Sequence, residues 1–193
     1  MGRLEQKQKT RTKLISSAVA LFKEKGIEQT NIADITKASD VSVGTFYVHF
    51  KGKEAIVSAI YYEAFNEYMD KKINGIDTTN QKLSILLLEI GLIELDYVQS
   101  VGIEITTAAF IANLNLNQQF PGYHLKKRTF SKKIADIIKR NTDQIDQDSD
   151  DMLTQFETIL RGIMLTWCFT NDTIAIRSIG EPILRKYLFN TLD

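Results

Sequence analysis

Between Thr30 and Lys53 the chain gathers small hydroxyl, aromatic and basic side chains of the types able to meet a nucleic-acid duplex. Ser42 and Thr45 carry hydroxyls that donate to phosphate or to a base edge. Val43 offers only an apolar contact, such as one to a thymine methyl. Gly44, with no side chain, lets a backbone approach closely. Tyr47 and His49 either contact phosphates or complete a small core, and Lys53 is placed to neutralise a phosphate. Thr30 and its neighbour Asn31, both candidates for contact with a duplex, precede a short apolar repeat. The Thr30 hydroxyl would cap the helix that begins there, either for the cap alone or so that the helix N-terminus also faces a phosphate.

Other chemistries have little to work with. The sequence has no glycine-rich phosphate loop, no HExxH pair and no nucleophile elbow, so no catalytic residue is assigned. Glu89 and Glu94 do not share a helix face. Two histidines and one cysteine make neither a disulfide framework nor a structural zinc site, and neither a metal nor a cofactor is expected. Cys168, beside Trp167, reads as a small buried hydrophobe, with a redox-sensing thiol as the alternative. A content of 44% hydrophobic and 25% charged residues excludes disordered and fibrous classes. The longest uncharged stretch, residues 105–125, holds Asn113, Asn115, Gln118, Pro121 and His124, too polar for a membrane helix. A cytoplasmic protein without a membrane partner is therefore expected.

The candidate residues need elements to hold them. Only 2 prolines and 10 glycines occur in 193 residues, which favours long helices over strands and turns. Leu14, Ala18, Leu21 and Phe22 form a core-facing stripe on a first helix over residues 7–25, closed by Gly26. Ile32, Ile35 and Ala38 give a second helix of barely two turns. Ser39-Asp40 breaks it, with Asp able to adopt the left-handed conformation a tight turn needs. A third helix runs from Ser42 or Val43 to His49 with Phe46 and Phe50 inward. Lys53 or Glu54 then opens a long helix through Ile56, Ile60, Tyr61, Phe65 and Tyr68. Two short helices joined by a tight turn and resting on a longer one form the helix-turn-helix pattern. Residues 1–53 carry ten basic and five acidic side chains in a chain of zero net charge. The basic part is thus the one suited to a polyanion, although a merely solvated terminus would show the same charge.

Several motifs carry a family resemblance. These are Ala20-Leu21-Phe22-Lys23-Glu24-Lys25-Gly26, Thr30-x-Ile32-x-x-Ile35, and Val41-Ser42-x-Gly44-Thr45-Phe46-Tyr47-x-His49-Phe50-x-x-Lys53-Glu54. The segment resembles the N-terminal domain of TetR-type (tetracycline-repressor-like) regulators over about the first quarter of the chain. Two departures stand out: Asp40 where the turn commonly has glycine, and Val43 at a base-facing position that is often polar. The resemblance implies an all-α homodimer. Residues 1–52 would be a three-helix helix-turn-helix DNA-binding domain, and residues 53–193 a larger helical effector-binding and dimerisation domain. It also implies a transcriptional regulator, most simply a repressor, that binds a pseudo-palindromic double-stranded DNA operator and is released by a small organic effector. A helical scaffold or adaptor that keeps the fold without binding DNA is the other reading.

The remaining chain reads as four or five further helices. Tyr61, Phe65, Phe110 and Met164 would line an effector pocket, with ordinary core as the competing reading. Glu104 and Arg161 either anchor a charged ligand or sit at a solvent or interface position. A break is expected at Pro121-Gly122, and the acidic tract 143–151 is read as a loop. Phe156, Leu160, Trp167, Leu184, Tyr187 and Leu188 on the last two helices exceed what a terminal pair needs. With the resemblance, they imply a four-helix dimer interface.

Overall fold

The computed structural model describes residues 2–78, 81–119, 129–141, 143, 148–171 and 173–192. All regular structure among them is helical: α1 (Arg3–Lys25), α2 (Ile32–Ala38), α3 (Val43–His49), α4 (Lys53–Ala59), a π-helical turn (Ile60–Ala64), α5 (Phe65–Ile73), α6 (Leu83–Val101), α7 (Ile103–Gln119), α8 (Thr129–Arg140), α9 (Ser149–Cys168) and α10 (Ile176–Leu192). The Pro121-Gly122 break, His124 and residues 144–147 of the acidic tract lie outside the described residues, while the end of that tract, expected as a loop, already belongs to α9 from Ser149. Among described residues no helix is long and apolar enough to cross a membrane.

Two compact units form. One comprises Met1–Phe65 with Glu104–His124, the other Asn66–Ile103 with Leu125–Asp193. The first unit therefore runs to Phe65, thirteen residues past the expected domain end at residue 52, and α7 returns to it.

In the first unit α1 begins at Arg3 rather than near Lys7, so the basic start of the chain is helical. Leu14, Ala18 and Phe22 of the expected stripe are buried, Ile15 joins them, and Leu21 is only half-buried. Gly26 ends the helix at φ +86, a conformation that favours glycine. On α2 the inward residues are Ile35 and Thr36, with Ser39 just past its end, while Ala38 is exposed. The helix is thus rotated from the sequence expectation. Beyond α4 the Phe65 N–H donates to the Ile60 carbonyl five residues back, the signature of a π turn.

In the second unit α6 is apolar almost all round and mostly buried. Helix α10 lies along it, and glycine allows the approach: a Cβ on Gly180 would sit 2.4 Å from Leu95 Cδ1 and 3.0 Å from Ile163 Cγ2. Phe130, Ile134, Ile137 and Ile138 pack α8 against α9. Asp148 caps α9 by accepting from the Asp150 N–H at 2.8 Å.

The interface residues expected on the last two helices need correction. Phe156, Leu160, Trp167, Leu184 and Leu188 are wholly buried within this one chain. Tyr187 is half-buried, with its hydroxyl 2.9 Å from Gln155 Oε1. The apolar stripe is spent on α6 and on the α9–α10 contact. The exposed apolar residues of these two helices and the turn between them are Leu165, Phe169, Ile174 and Ile183.

Candidate nucleic-acid interface

Helix α2 starts from a capping box. Asn31 Oδ1 accepts from the Asp34 N–H at 2.9 Å, and Asp34 Oδ2 accepts from the Asn31 N–H at 3.1 Å. Lys25 Nζ lies 2.6 Å from Asp34 Oδ2, and that bond, with the Asn31 N–H, holds the Asp34 carboxyl below the usual range. The cap is therefore Asn31 and not Thr30. Thr30 is fully buried and its hydroxyl donates to the Gly26 carbonyl at 2.7 Å, so it locks the α1–α2 turn and presents nothing to a duplex.

The turn after α2 is closed by its own backbone. Asp40 adopts φ +51, its N–H donates to the Lys37 carbonyl, and the Val41 N–H reaches back to Thr36 at 3.0 Å. This is a Schellman closure with aspartate in the left-handed position usually held by glycine. It sets the angle at which α3 leaves. Ser42 caps α3, its Oγ accepting from the Thr45 N–H at 3.0 Å, with the two hydroxyls 2.9 Å apart.

Helix α3 is fixed from behind and open in front. Phe46 and Phe50 are buried, their ring centroids 5.7 Å apart. On the opposite face Val43 is 46% exposed, Tyr47 57% and Val48 68%, with Gly44 open between them. A Cβ at Gly44 would meet nothing closer than Ser42 Oγ at 3.6 Å, so nothing inside this chain requires glycine there. Val48 is absent from the sequence-based set, although its i+4 spacing from Gly44 was available as a signal.

Two expected phosphate contacts look different in three dimensions. Lys53 Nζ donates to the Ile27 carbonyl at 2.8 Å and to the Glu28 carbonyl at 3.5 Å. From α7, the Glu104 carboxylate accepts the Ile27 N–H at 2.7 Å. Both polar groups of the Ile27 backbone are thus held by side chains from other helices, and Lys53 acts first as an internal tie. His49 is half-buried, with Nδ1 lacking a hydrogen-bond partner among the described residues. Burial, then the Arg11 and Lys7 charges, push its pKa down.

Of the effector candidates, Tyr61 and Phe65 stack at 6.4 Å and 14° across the π turn, and Tyr61 lies 6.3 Å from Phe110 of α7. Beside them the Tyr62 hydroxyl donates to Asn113 Oδ1 in a buried bond that sequence reasoning missed. Phe65 is itself buried, while Tyr61 and Phe110 are half-buried. Met164 is buried and belongs to the other compact unit. Arg161, considered as a ligand anchor, is instead paired with Glu157, which also accepts from the Ser131 hydroxyl. No cluster of metal-ligating side chains occurs among the described residues.

Residues 14–60, which contain α2, the turn after it and α3, match the family described as bacterial regulatory proteins, tetR family. Over these residues the chain is similar to the DNA-binding domain of that family. Its relatives include a probable HTH-type transcriptional regulator, YttP, of Bacillus subtilis, 32% identical over 85 residues, or 42% of this chain and 41% of that one. The fatty acid metabolism regulator protein of the same organism is 31% identical over 87 residues, 44% and 45% of the two chains. The matched stretch thus spans less than half the length of these curated relatives. The TetR-type fold extends further. The fatty acid degradation regulator FadR of Bacillus halodurans superposes with a TM-score of 0.63 over 92% of this chain and 93% of that one, at 19% identity.

Proposed function

We propose that this TetR-type chain is a transcriptional regulator, most simply a repressor, that reads double-stranded DNA with α3 as a homodimer and releases it on binding a small organic effector. The observation that carries this reading is the two-sidedness of α3. Its inner face is locked by Phe46 and Phe50, and its outer face presents Val43, Gly44, Tyr47 and Val48 to solvent. Exposed apolar side chains on so short a helix have no intramolecular reason, whereas a major groove offers thymine methyls and a sugar-phosphate wall. The unforced glycine at position 44 fits a close approach by a duplex. Ser42, Thr45, Tyr47 and His49 remain the candidates for phosphate or base contact. Thr30, Asn31 and Lys53 leave that set, since their polar groups are used in structural bonds.

The effector is proposed to meet the aromatic group Tyr61, Phe65 and Phe110, with the buried Tyr62–Asn113 pair as its polar element. A relative named as a fatty acid metabolism regulator makes fatty acids and their acyl derivatives the first class to try. The second copy would bury Leu165, Phe169 and Ile183. A selection from random duplex with the full chain tests the reading, repeated with an acyl-CoA panel. Enrichment of a two-fold-symmetric sequence that an acyl-CoA abolishes is the expected result. Failure to enrich any sequence, with weak and uniform binding to all duplexes, would leave a helical scaffold in its place.

A further inference from the structure

Arg11 sits where three parts of the first unit converge. Its Nε and Nη2 form a two-pronged bond to Glu63, at 2.6 Å each, while Nη1 donates to the His49 carbonyl at 2.5 Å. Its guanidinium also lies 4.1 Å from the centroid of the Phe50 ring. So one side chain of α1 holds the last carbonyl of α3, the ring that anchors α3, and a carboxylate in the π turn. A planar guanidinium presents its donors in a fixed fork, so these bonds are geometrically linked: moving the carboxylate turns the whole group.

Glu63 reaches Arg11 from within the π turn. Such a turn holds one residue more than an α turn, which puts the side chains on either side of it out of α-helical phase by about 100°. The same turn contains Tyr61 and Tyr62, which meet Phe110 and Asn113 of α7. Restoring α-helical register there would swing Glu63 away from Arg11 or move Tyr61 and Tyr62 off α7, and the two sets of contacts cannot both survive.

We propose that Glu63 is a positioning residue for DNA reading, acting through Arg11 on the C-terminal end of α3, and that the π turn is the joint whose register sets this strap. The proposal rests on α3 being the DNA-reading helix. It places control of α3 in a carboxylate outside the helix-turn-helix, with no contact to DNA of its own. It also gives the aromatic group around Tyr61 a route to α3, through the Glu63–Arg11 ion pair and the Arg11–His49 hydrogen bond, that does not require the whole of α4 to move.

The test uses the full chain with Glu63→Ala, Arg11→Ala and the double variant. Affinity is measured for the duplex enriched by the wild type and for random duplex, beside thermal stability. Glu63→Ala is expected to lose about fivefold or more on the enriched duplex and less than about twofold on random duplex. The double variant should lose no more than Arg11→Ala alone, because both act through one group. Independent losses that multiply, or Glu63→Ala binding the enriched duplex like wild type, would overturn the strap. A wild type that enriches no sequence points instead at the DNA reading, and the strap then stands or falls on hydrogen exchange. In Glu63→Ala the Phe50 amide, bonded to the Phe46 carbonyl at 2.9 Å, should exchange about tenfold faster, while the Ser39 amide at the end of α2 stays unchanged. Equal protection at Phe50 in the two proteins rejects the strap.

Discussion

The ammonium of Lys53 and the carbonyl of Ile27 are 2.8 Å apart, joining the start of α4 to the end of α1 across 26 residues of sequence. A lysine spent on an internal carbonyl costs more to remove than a surface cation. Lys53→Ala should lower stability by about 1–2 kcal/mol, since it frees a charge-assisted bond at a half-buried turn. The slope of random-duplex affinity against salt should stay as in wild type. Urea titration and a salt series check both halves, and a flattened salt slope at unchanged stability would return Lys53 to the DNA.

Val43 faces outward at the first turn of α3. Val43→Ala should change preference at one base pair by about 1 kcal/mol or more while leaving random-duplex affinity unaltered. Selection with the variant reads this directly. Equal losses on both kinds of DNA would show Val43 to be a packing residue of the complex and not a reader.

Gly180 and Gly91 mark the approach of α10 to α6. At Gly91 a Cβ would sit 3.0 Å from the flexible Leu184 Cδ1 and in ordinary contact with Phe156 Cζ at 3.4 Å and Leu160 Cδ2 at 3.5 Å, so Gly91→Ala should be close to neutral once the gain in helix propensity is counted. At Gly180 the nearest atoms are Leu95 Cδ1 and the branched Ile163 Cγ2, and the latter is less free to turn. Gly180→Ala should cost about 1–3 kcal/mol in chemical denaturation.

His49 gives the protein a pH dependence of known sign. Its folded pKa lies below its ordinary value through burial and the Arg11 and Lys7 charges, so the unfolded chain takes the proton first as pH falls. The stability tied to neutral His49 is complete above about pH 6.5 and is lost as pH drops through the folded value. His49→Gln should flatten that limb of the stability curve. An unchanged limb would assign the slope to other groups.

Phe169 is 82% exposed at the end of α9, and Ile183 of α10 is 45% exposed. The double variant Phe169→Glu, Ile183→Glu should sediment as a monomer with native helicity, whereas Phe156→Ala should cost about 3–5 kcal/mol in stability. A double variant that stays dimeric would locate the contact elsewhere.

These contrasts show what a sequence conveys. The stripe Leu14, Ala18, Phe22 and the pair Phe46, Phe50 were legible because helical spacing reports which side faces a core. It does not report whose core, so Phe156, Leu160 and Leu184 read equally well as an interface until α6 was seen to occupy them. Thr30 and Asn31 are adjacent and both suit a cap. The choice fell to Asn31 because Thr30 is needed by the Gly26 carbonyl. The bonds of Lys53 and Glu104 to Ile27 join distant segments, and neither leaves a local pattern. The π turn has no composition of its own. The αL aspartate at position 40 was legible, since the turn demanded positive φ and aspartate is one of the few residues that accept it.

The first turns of α1 extend before its first buried residue, Leu14, and carry exposed Arg3, Lys7 and Lys9 on a 23-residue helix about 35 Å long. A floppy basic tail meeting a polyanion surrenders about 1–2 kcal/mol of chain entropy for each residue it immobilises. A helical rod has given up that freedom during folding. Its cations are presented at fixed spacing, so any attraction they supply to a polyanion arrives without a further ordering cost, and stiffening the segment with better helix formers should add nothing.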